Sequence, residues 1–268
     1  MNEIKQNSPY AWFLAARPKT LTGAIIPVLL GSALAFSDGQ FKTAPALLCA
    51  LFACGMQIAA NFINAAKALR GEDPGDGFYG MVFQDSDAYK WLEAAAYAVA
   101  DKPDENLERQ ADELIDLIAD AQDKDGYLNT FFTIKDTEKR WTNLLEGHEL
   151  YCSGHLIEAA CTYYEATGKR KLLDIAVKNA ECIYDRFVMQ NTEGIPGHPE
   201  IELALLRLYR LTENKHFLEL AKKFIDERGK APDFWAREAK KRSWSVWNSD
   251  PWGNDYRQSA KPVREQTE

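Results

Sequence analysis

Residues 148–187 read HELYCSGHLIEAACTYYEATGKRKLLDIAVKNAECIYDRF. Apolar residues recur at three- and four-residue spacing on both sides of Gly168, which is the period of a helix face. Glycine is a common helix stop, because it adopts the left-handed backbone without a steric penalty. The spacing therefore predicts a helix from His148 to Thr167, closed by Gly168, and a second from Lys169 to Phe187. The same form returns downstream, with Glu200 to Leu211 and His216 to Ile225 as the next pair, ending near Gly229. The turns YEATGKRK and YRLTENKH share a tyrosine, a helix end, a short polar turn and a basic helix start. Helical hairpins that cannot bury both faces alone stack into a toroid or a solenoid.

Working outward toward the N-terminus, helical spacing continues. Trp91, Leu92, Ala95 and Val99 share one face of a helix beginning near Asp87, which is placed as its N-cap. Leu107, Ala111, Leu114, Ile115, Ile118 and Ala121 mark another, with Asp104 as a candidate cap. The fold class expected is all-α.

Charge divides the 268 residues unevenly. The whole chain carries −8, yet residues 1–60 contain only Glu3, Lys5, Arg17, Lys19, Asp38 and Lys42, a sum of +2. The remainder is therefore strongly acidic, which disfavours nucleic acid as a partner. The five cysteines, Cys49, Cys54, Cys152, Cys161 and Cys182, are odd in number and form no CxxC pair. They read as packed thiols, not a disulfide framework.

Two uncharged stretches, Thr20 to Phe36 and Pro45 to Ile63, flank the short polar segment SDGQFKTA. Each approaches the roughly 20 residues that a helix needs to cross hydrocarbon. A membrane hairpin over residues 20–63 is expected, with a buried soluble hairpin as the alternative. Lys5, Arg17, Lys19, Lys67 and Arg70 outside the spans place the large domain on the cytoplasmic side. Glycine, proline and aspartate cluster in Gly71–Asp76. The expected organisation is an apolar hairpin over residues 1–70, a linker over 71–77 and a helical domain over 78–268.

Residues 12–41, WFLAARPKTLTGAIIPVLLGSALAFSDGQF, and 56–64, MQIAANFIN, resemble the start of the membrane prenyltransferases that act on dihydroxynaphthoate in menaquinone synthesis. That family's aspartate-rich motif would follow the asparagine, but Ala65, Ala68 and Leu69 occupy those places. Alanine and leucine cannot hold Mg²⁺ and diphosphate. Residues 78–268 resemble glycoside hydrolase family 127, whose founding activity is β-L-arabinofuranosidase. The resemblance is carried by FYGMVFQDSDAYKWLEAAAY (78–97), QDKDGYLNT (122–130), HELYCSGHLIEAA (148–160), GHPEIELALLRLYRLTENKHFLELAKKFIDERG (197–229) and AKPVREQTE (260–268). It implies an (α/α)6 barrel, here incomplete, and an arabinofuranoside or related sugar as ligand. An incomplete barrel would leave apolar faces open to self-association.

The resemblance also implies a cysteine thiolate nucleophile and a zinc ion held by glutamate and three cysteines. The family's paired-cysteine stretch lies beyond its PVREQ segment. No nucleophile, zinc ligand or other cofactor is therefore expected among these residues, and turnover by them alone is not expected. His148, opening HELY, and His198, within GHPE, are implied as contacts to sugar hydroxyls. An imidazole suits that task, since it donates from one nitrogen and accepts at the other. Asp85 and Asp87 are possible further contacts on the substrate side. His148, Cys152 and His155 share a helix face at a spacing that metal ligands also use, although a barrel wall explains it as well. Trp235, Trp244, Trp247 and Trp252 read as wedges in an irregular region sooner than as sugar platforms. Three other readings stay open: a membrane-tethered sugar-binding or scaffold module, a fusion of two unrelated gene pieces without function, and a polyprenyltransferase fragment.

Overall fold

A computed structural model describes residues 59–75, 77–78, 80–241 and 244–246. Every regular element among them is helical. A helix over residues 59–69 is α1. It is followed by α2 (Asp85–Asp101), α3 (Glu105–Asp120), the short α4 (Thr130–Lys135), α5 (Glu149–Thr167), α6 (Lys171–Tyr184), α7 (Ile201–Thr212), α8 (Lys215–Glu227) and α9 (Phe234–Lys241).

Local chemistry sets most of these limits. Asp104 caps α3, its side chain accepting from the amides of Asn106 and Leu107. Asn129 caps α4 in the same way through the amide of Phe132. Gly168 closes α5 at a φ of 72°, as its position predicts. Helix α2 starts at Asp85, two residues earlier than the sequence indicates. The N-cap position is Gln84, which makes no side-chain cap bond, so Asp87 lies in the first turn and is not the cap. Helix α6 passes into a wider π turn over Asp185–Met189, which brings Phe187 into the core.

Helix α5 is the axis of the packing. It lies against α2, α6 and α7, while α8 packs on α7 and α6. Leu150, Leu156, Ile157, Ala159, Ala160, Cys161 and Tyr163 are all buried, so this helix turns an apolar side to each neighbour. Leu92 and Ala96 of α2, Leu172, Ala176 and Ile183 of α6, Leu205 and Leu208 of α7 and Phe217 and Phe224 of α8 complete the same core.

The expected membrane hairpin, residues 20–63, lies outside the described residues except for its last five. Those five open α1, and they correct the expectation for this part. Phe62 is fully buried and its ring lies 6.1 Å from that of Tyr89 of α2. Ala65 joins the same core, Asn61 is fully buried, and Asn64 donates to the carbonyl of Gly77 at 2.9 Å. An apolar run is equally fit to face lipid or protein, and here Phe62 faces protein. No helix among the described residues is long and apolar enough to cross a membrane. The exposed large apolar side chains, Ile63, Trp91, Tyr97, Met189, Leu203 and Leu218, are spread over α1, α2, the π turn, α7 and α8. Single exposed apolar residues are ordinary, so they carry no argument for the expected self-association.

Truncating a fully buried aromatic leaves a cavity that its surroundings fill only in part. Phe62→Ala is therefore expected to destabilise the helical domain by about 3–5 kcal/mol, read as a lowered midpoint in urea. An unchanged midpoint would show that α1 is not part of that cooperative unit.

Candidate functional site

The site is built at the N-terminal end of α5. His148 immediately precedes the helix in the left-handed region, at a φ of 56°, where a residue with a Cβ is strained. Two contacts hold it there. Its carbonyl accepts from the amide of Cys152 at 2.9 Å, and its Nδ1 lies 2.7 Å from the carbonyl of Glu146. The loop before it is tied down in turn. Glu146 is buried and accepts from Ser245 Oγ at 2.7 and 2.9 Å and from the amide of Val246 at 2.6 Å. Asn143 donates to the carbonyl of Trp244 at 3.2 Å, and Trp244 Nε1 donates to Thr142 Oγ1 at 2.8 Å. Trp244 packs its ring 5.5 Å from Phe132 as a wedge in an irregular segment, whereas Trp235, read the same way from the sequence, is a buried residue of helix α9. Trp247 and Trp252 lie outside the described residues.

Three residues into the helix stands Tyr151, and three imidazoles surround its ring. The ring centroids of His155, His198 and His148 lie 4.5, 4.8 and 5.6 Å away. Phe83 adds an aromatic contact 5.4 Å from His148. Lys90 of α2 donates to Tyr151 Oη at 2.9 Å and to Ser86 Oγ at 3.1 Å. His198 is exposed, with Nδ1 3.2 Å from the carbonyl of Pro199. The structure thus gathers His148 and His198 onto one tyrosine, although 50 residues separate them. Tyr151 and Lys90 are the members that sequence reading passed over. A signal existed for the tyrosine: residues 148, 151 and 155 are spaced to share one helix face.

The two aspartates are placed differently. Asp85 is 1% exposed. Its two oxygens accept from the amide of Thr130 at 2.7 Å and from Thr130 Oγ1 at 2.5 Å. Burial pushes its carboxyl up to about 6. It braces the start of α4. Asp87 is exposed and accepts from Gln84 Nε2 at 2.9 Å, with Lys90 at 3.8 Å.

Glu149, beside His148, is also buried. It accepts from Tyr127 Oη at 2.5 Å and from the amide of Trp141 at 2.9 and 3.1 Å. Desolvation pushes its carboxyl up to about 8 against those bonds. Burial raises the described thiols too: Cys152 well above the ordinary range, Cys161 and Cys182 to about 12. None of the three is poised as a thiolate. Among the described residues no three His, Cys, Asp or Glu side chains converge so as to hold a metal ion. On the face shared by His148, Cys152 and His155, the thiol is buried while the two imidazoles pack on Tyr151.

Comparison with known proteins follows this geometry. Residues 44–268 match the family described as Beta-L-arabinofuranosidase, GH127 catalytic domain. That range begins ahead of the linker expected at 71–77 and takes in α1. The chain is 44% identical over 227 residues to a non-reducing end beta-L-arabinofuranosidase of Bifidobacterium longum subsp. longum, across 79% of this chain and 34% of that protein. Among solved structures it resembles a GH127 beta-L-arabinofuranosidase of Geobacillus stearothermophilus T6 with a TM-score of 0.67 and 47% identity, covering 78% of this chain and 33% of the other. A second GH127 beta-arabinofuranosidase gives a TM-score of 0.62 at 31% identity, covering 89% and 35%. A separate similarity, 36% identity over 77 residues, joins 28% of this chain to 25% of the 1,4-dihydroxy-2-naphthoate octaprenyltransferase of Escherichia coli K12. The chain thus spans about a third of the length of the arabinofuranosidases it matches.

The raised carboxyl of Glu149 has a consequence for stability. Between its ordinary value of 4.5 and its folded value of about 8, the folded protein keeps a proton that the unfolded chain has released. Stability is then fully present below 4.5 and is lost as pH rises through 8. The urea midpoint is expected to fall across this window. Glu149→Gln, neutral at every pH, should remove part of that fall. An unaltered slope in the variant would show that Glu149 is ionised in the folded protein.

Proposed function

The chain belongs to the GH127 beta-L-arabinofuranosidase catalytic-domain family, and on that premise we propose that it supplies the sugar-binding histidines of a protein that releases terminal arabinofuranosyl residues. The observation that carries this reading is the gathering of His148 and His198 onto the ring of Tyr151 at the N-terminal end of α5. Each of these two imidazoles has its Nδ1 against a backbone carbonyl, which can only accept. A ring held this way carries a proton on Nδ1, and the reading assigns the other side of each ring to a sugar hydroxyl. The aromatic surfaces of Tyr151 and Phe83 offer apolar area for the sugar's C–H groups.

The helices are read as part of an (α/α)6 barrel. Binding, not bond cleavage, is the role assigned to these residues. The protonated state of Cys152, Cys161 and Cys182 does not suit a nucleophile, and the described donor groups do not suit zinc. No step is derived through that metal. Asp85 and Asp87 are left out of the binding set, since Thr130 occupies the first and the second sits with Gln84 and Lys90.

Calorimetric titration of the full chain with methyl β-L-arabinofuranoside tests the reading. Binding is expected, and His148→Ala and His198→Ala should each weaken it by about 5–10-fold, the worth of one hydrogen bond to a hydroxyl. No binding by the unaltered chain, or equal affinity in both variants, would overturn it.

A further inference from the structure

Lys90 of α2 reaches the first turn of α5 and bonds to two hydroxyls. Its Nζ lies 2.9 Å from Tyr151 Oη and 3.1 Å from Ser86 Oγ, with Asp87 Oδ1 farther off at 3.8 Å. The same ammonium stands 5.0 Å from the centroid of the Tyr151 ring. Ser86 is fully buried, so Lys90 has one fixed partner inside the protein and one at the candidate site.

An ammonium carries three donors and no acceptor. The bond to Tyr151 therefore has one direction: Lys90 donates and the phenolic oxygen accepts. The hydrogen of the hydroxyl must then turn away from Lys90. Among the described residues no group accepts it. Other tyrosines of the protein are placed the opposite way. Tyr127 donates to Glu149, Tyr163 to Asp112 and Tyr184 to Glu219, so each spends its hydrogen on a carboxylate. Tyr151 receives a cation's hydrogen and keeps its own. It is partly exposed, and the Lys90 side chain beside it is 41% exposed, so a molecule from outside can reach this hydroxyl. A hydroxyl that accepts a charge-assisted bond is also polarised into a stronger donor.

We infer that Lys90 is a positioning residue: it commits the Tyr151 hydroxyl to donate outward, so that a bound arabinofuranoside must present an acceptor oxygen there. The direction of the Lys90–Tyr151 bond stands on the distance and on what an ammonium can donate; the ligand rests on the reading given under Proposed function. Nothing in it depends on the imidazoles around the ring.

The Raman doublet of tyrosine changes its intensity ratio with the donor or acceptor state of the hydroxyl. The chain has eleven tyrosines, and subtracting the spectrum of the matching Tyr151→Phe protein isolates this one. An accepting hydroxyl is expected in the unaltered chain and in Lys90→Arg, whose guanidinium also donates and cannot accept. The ratio should shift in Lys90→Met. Calorimetric affinity of the full chain for methyl β-L-arabinofuranoside is expected to fall about 5–10-fold in Tyr151→Phe and about 3–5-fold in Lys90→Met, and to stay within about twofold in Lys90→Arg. The double variant Lys90→Met/Tyr151→Phe should bind no more weakly than Tyr151→Phe, because no hydroxyl is left to position. A Tyr151 doublet unmoved by Lys90→Met overturns the proposal whatever the sugar does. A shifted doublet without sugar affinity in the unaltered chain overturns the binding function and the donor role, while the Lys90–Tyr151 bond survives. A shifted doublet with affinity unmoved by Lys90→Met, or with effects that multiply in the double variant, overturns the positioning role alone.

Discussion

Burial of α5 is the constraint from which the rest of the described structure follows. A helix apolar on several sides, as α5 is with Leu150, Leu156, Ile157, Ala160 and Tyr163, cannot lie on a surface, because each exposed apolar side would forgo favourable burial. It must be covered by several neighbours, and α2, α6 and α7 take those places. Covering fixes its axis, and the axis fixes where its first two turns emerge. Those turns carry Tyr151 and His155, and the residue before them is His148. The framework and the candidate site are therefore set by one element. Small residues serve the same end: Gly154 allows Glu200 to approach the helix directly.

Much of this was legible in the sequence where the cause was local. The α5–α6 hairpin, the stop at Gly168 and the cap at Asp104 depend on residues within a few positions of one another. So does the shared face of residues 148, 151 and 155. The pairing of His148 with His198 was reached through family resemblance, and no spacing rule spans fifty residues. What stayed hidden was set by distant partners. Asp85 looked like a helix-start residue near a site, but its role is decided by Thr130, 45 positions away. Glu200 looked unremarkable until Gly154 and His155 came beside it. Residues 59–63 were read from hydropathy, which ranks a side chain's aversion to water without naming what shields it.

The acidic balance of the chain takes on a second meaning in the folded state. Glu149 and Glu200 are carboxyls pushed up to about 8, and Asp85 to about 6, by removal from water. Glu149 nevertheless accepts from Tyr127 Oη and the amide of Trp141, and Asp85 from Thr130, so removal from water acts on these groups against their hydrogen bonds. Part of the formal negative charge thus sits in the interior, where removal from water works against the ionised form.

The loop ahead of α5 is closed from far along the chain. Glu146 is bound by Ser245 and Val246, roughly a hundred residues later, and Asn143 by the carbonyl of Trp244. Synthesis runs from the N-terminus, and domains generally fold as units as the chain emerges. The residues of α2, α5, α6 and α7 therefore emerge before the segment that closes the loop carrying His148. Those closing bonds cannot form until residues 244–246 have left the ribosome. A nascent chain stalled short of them lacks these bonds, so the loop that carries His148 can be closed only after every helix that frames it has been synthesised.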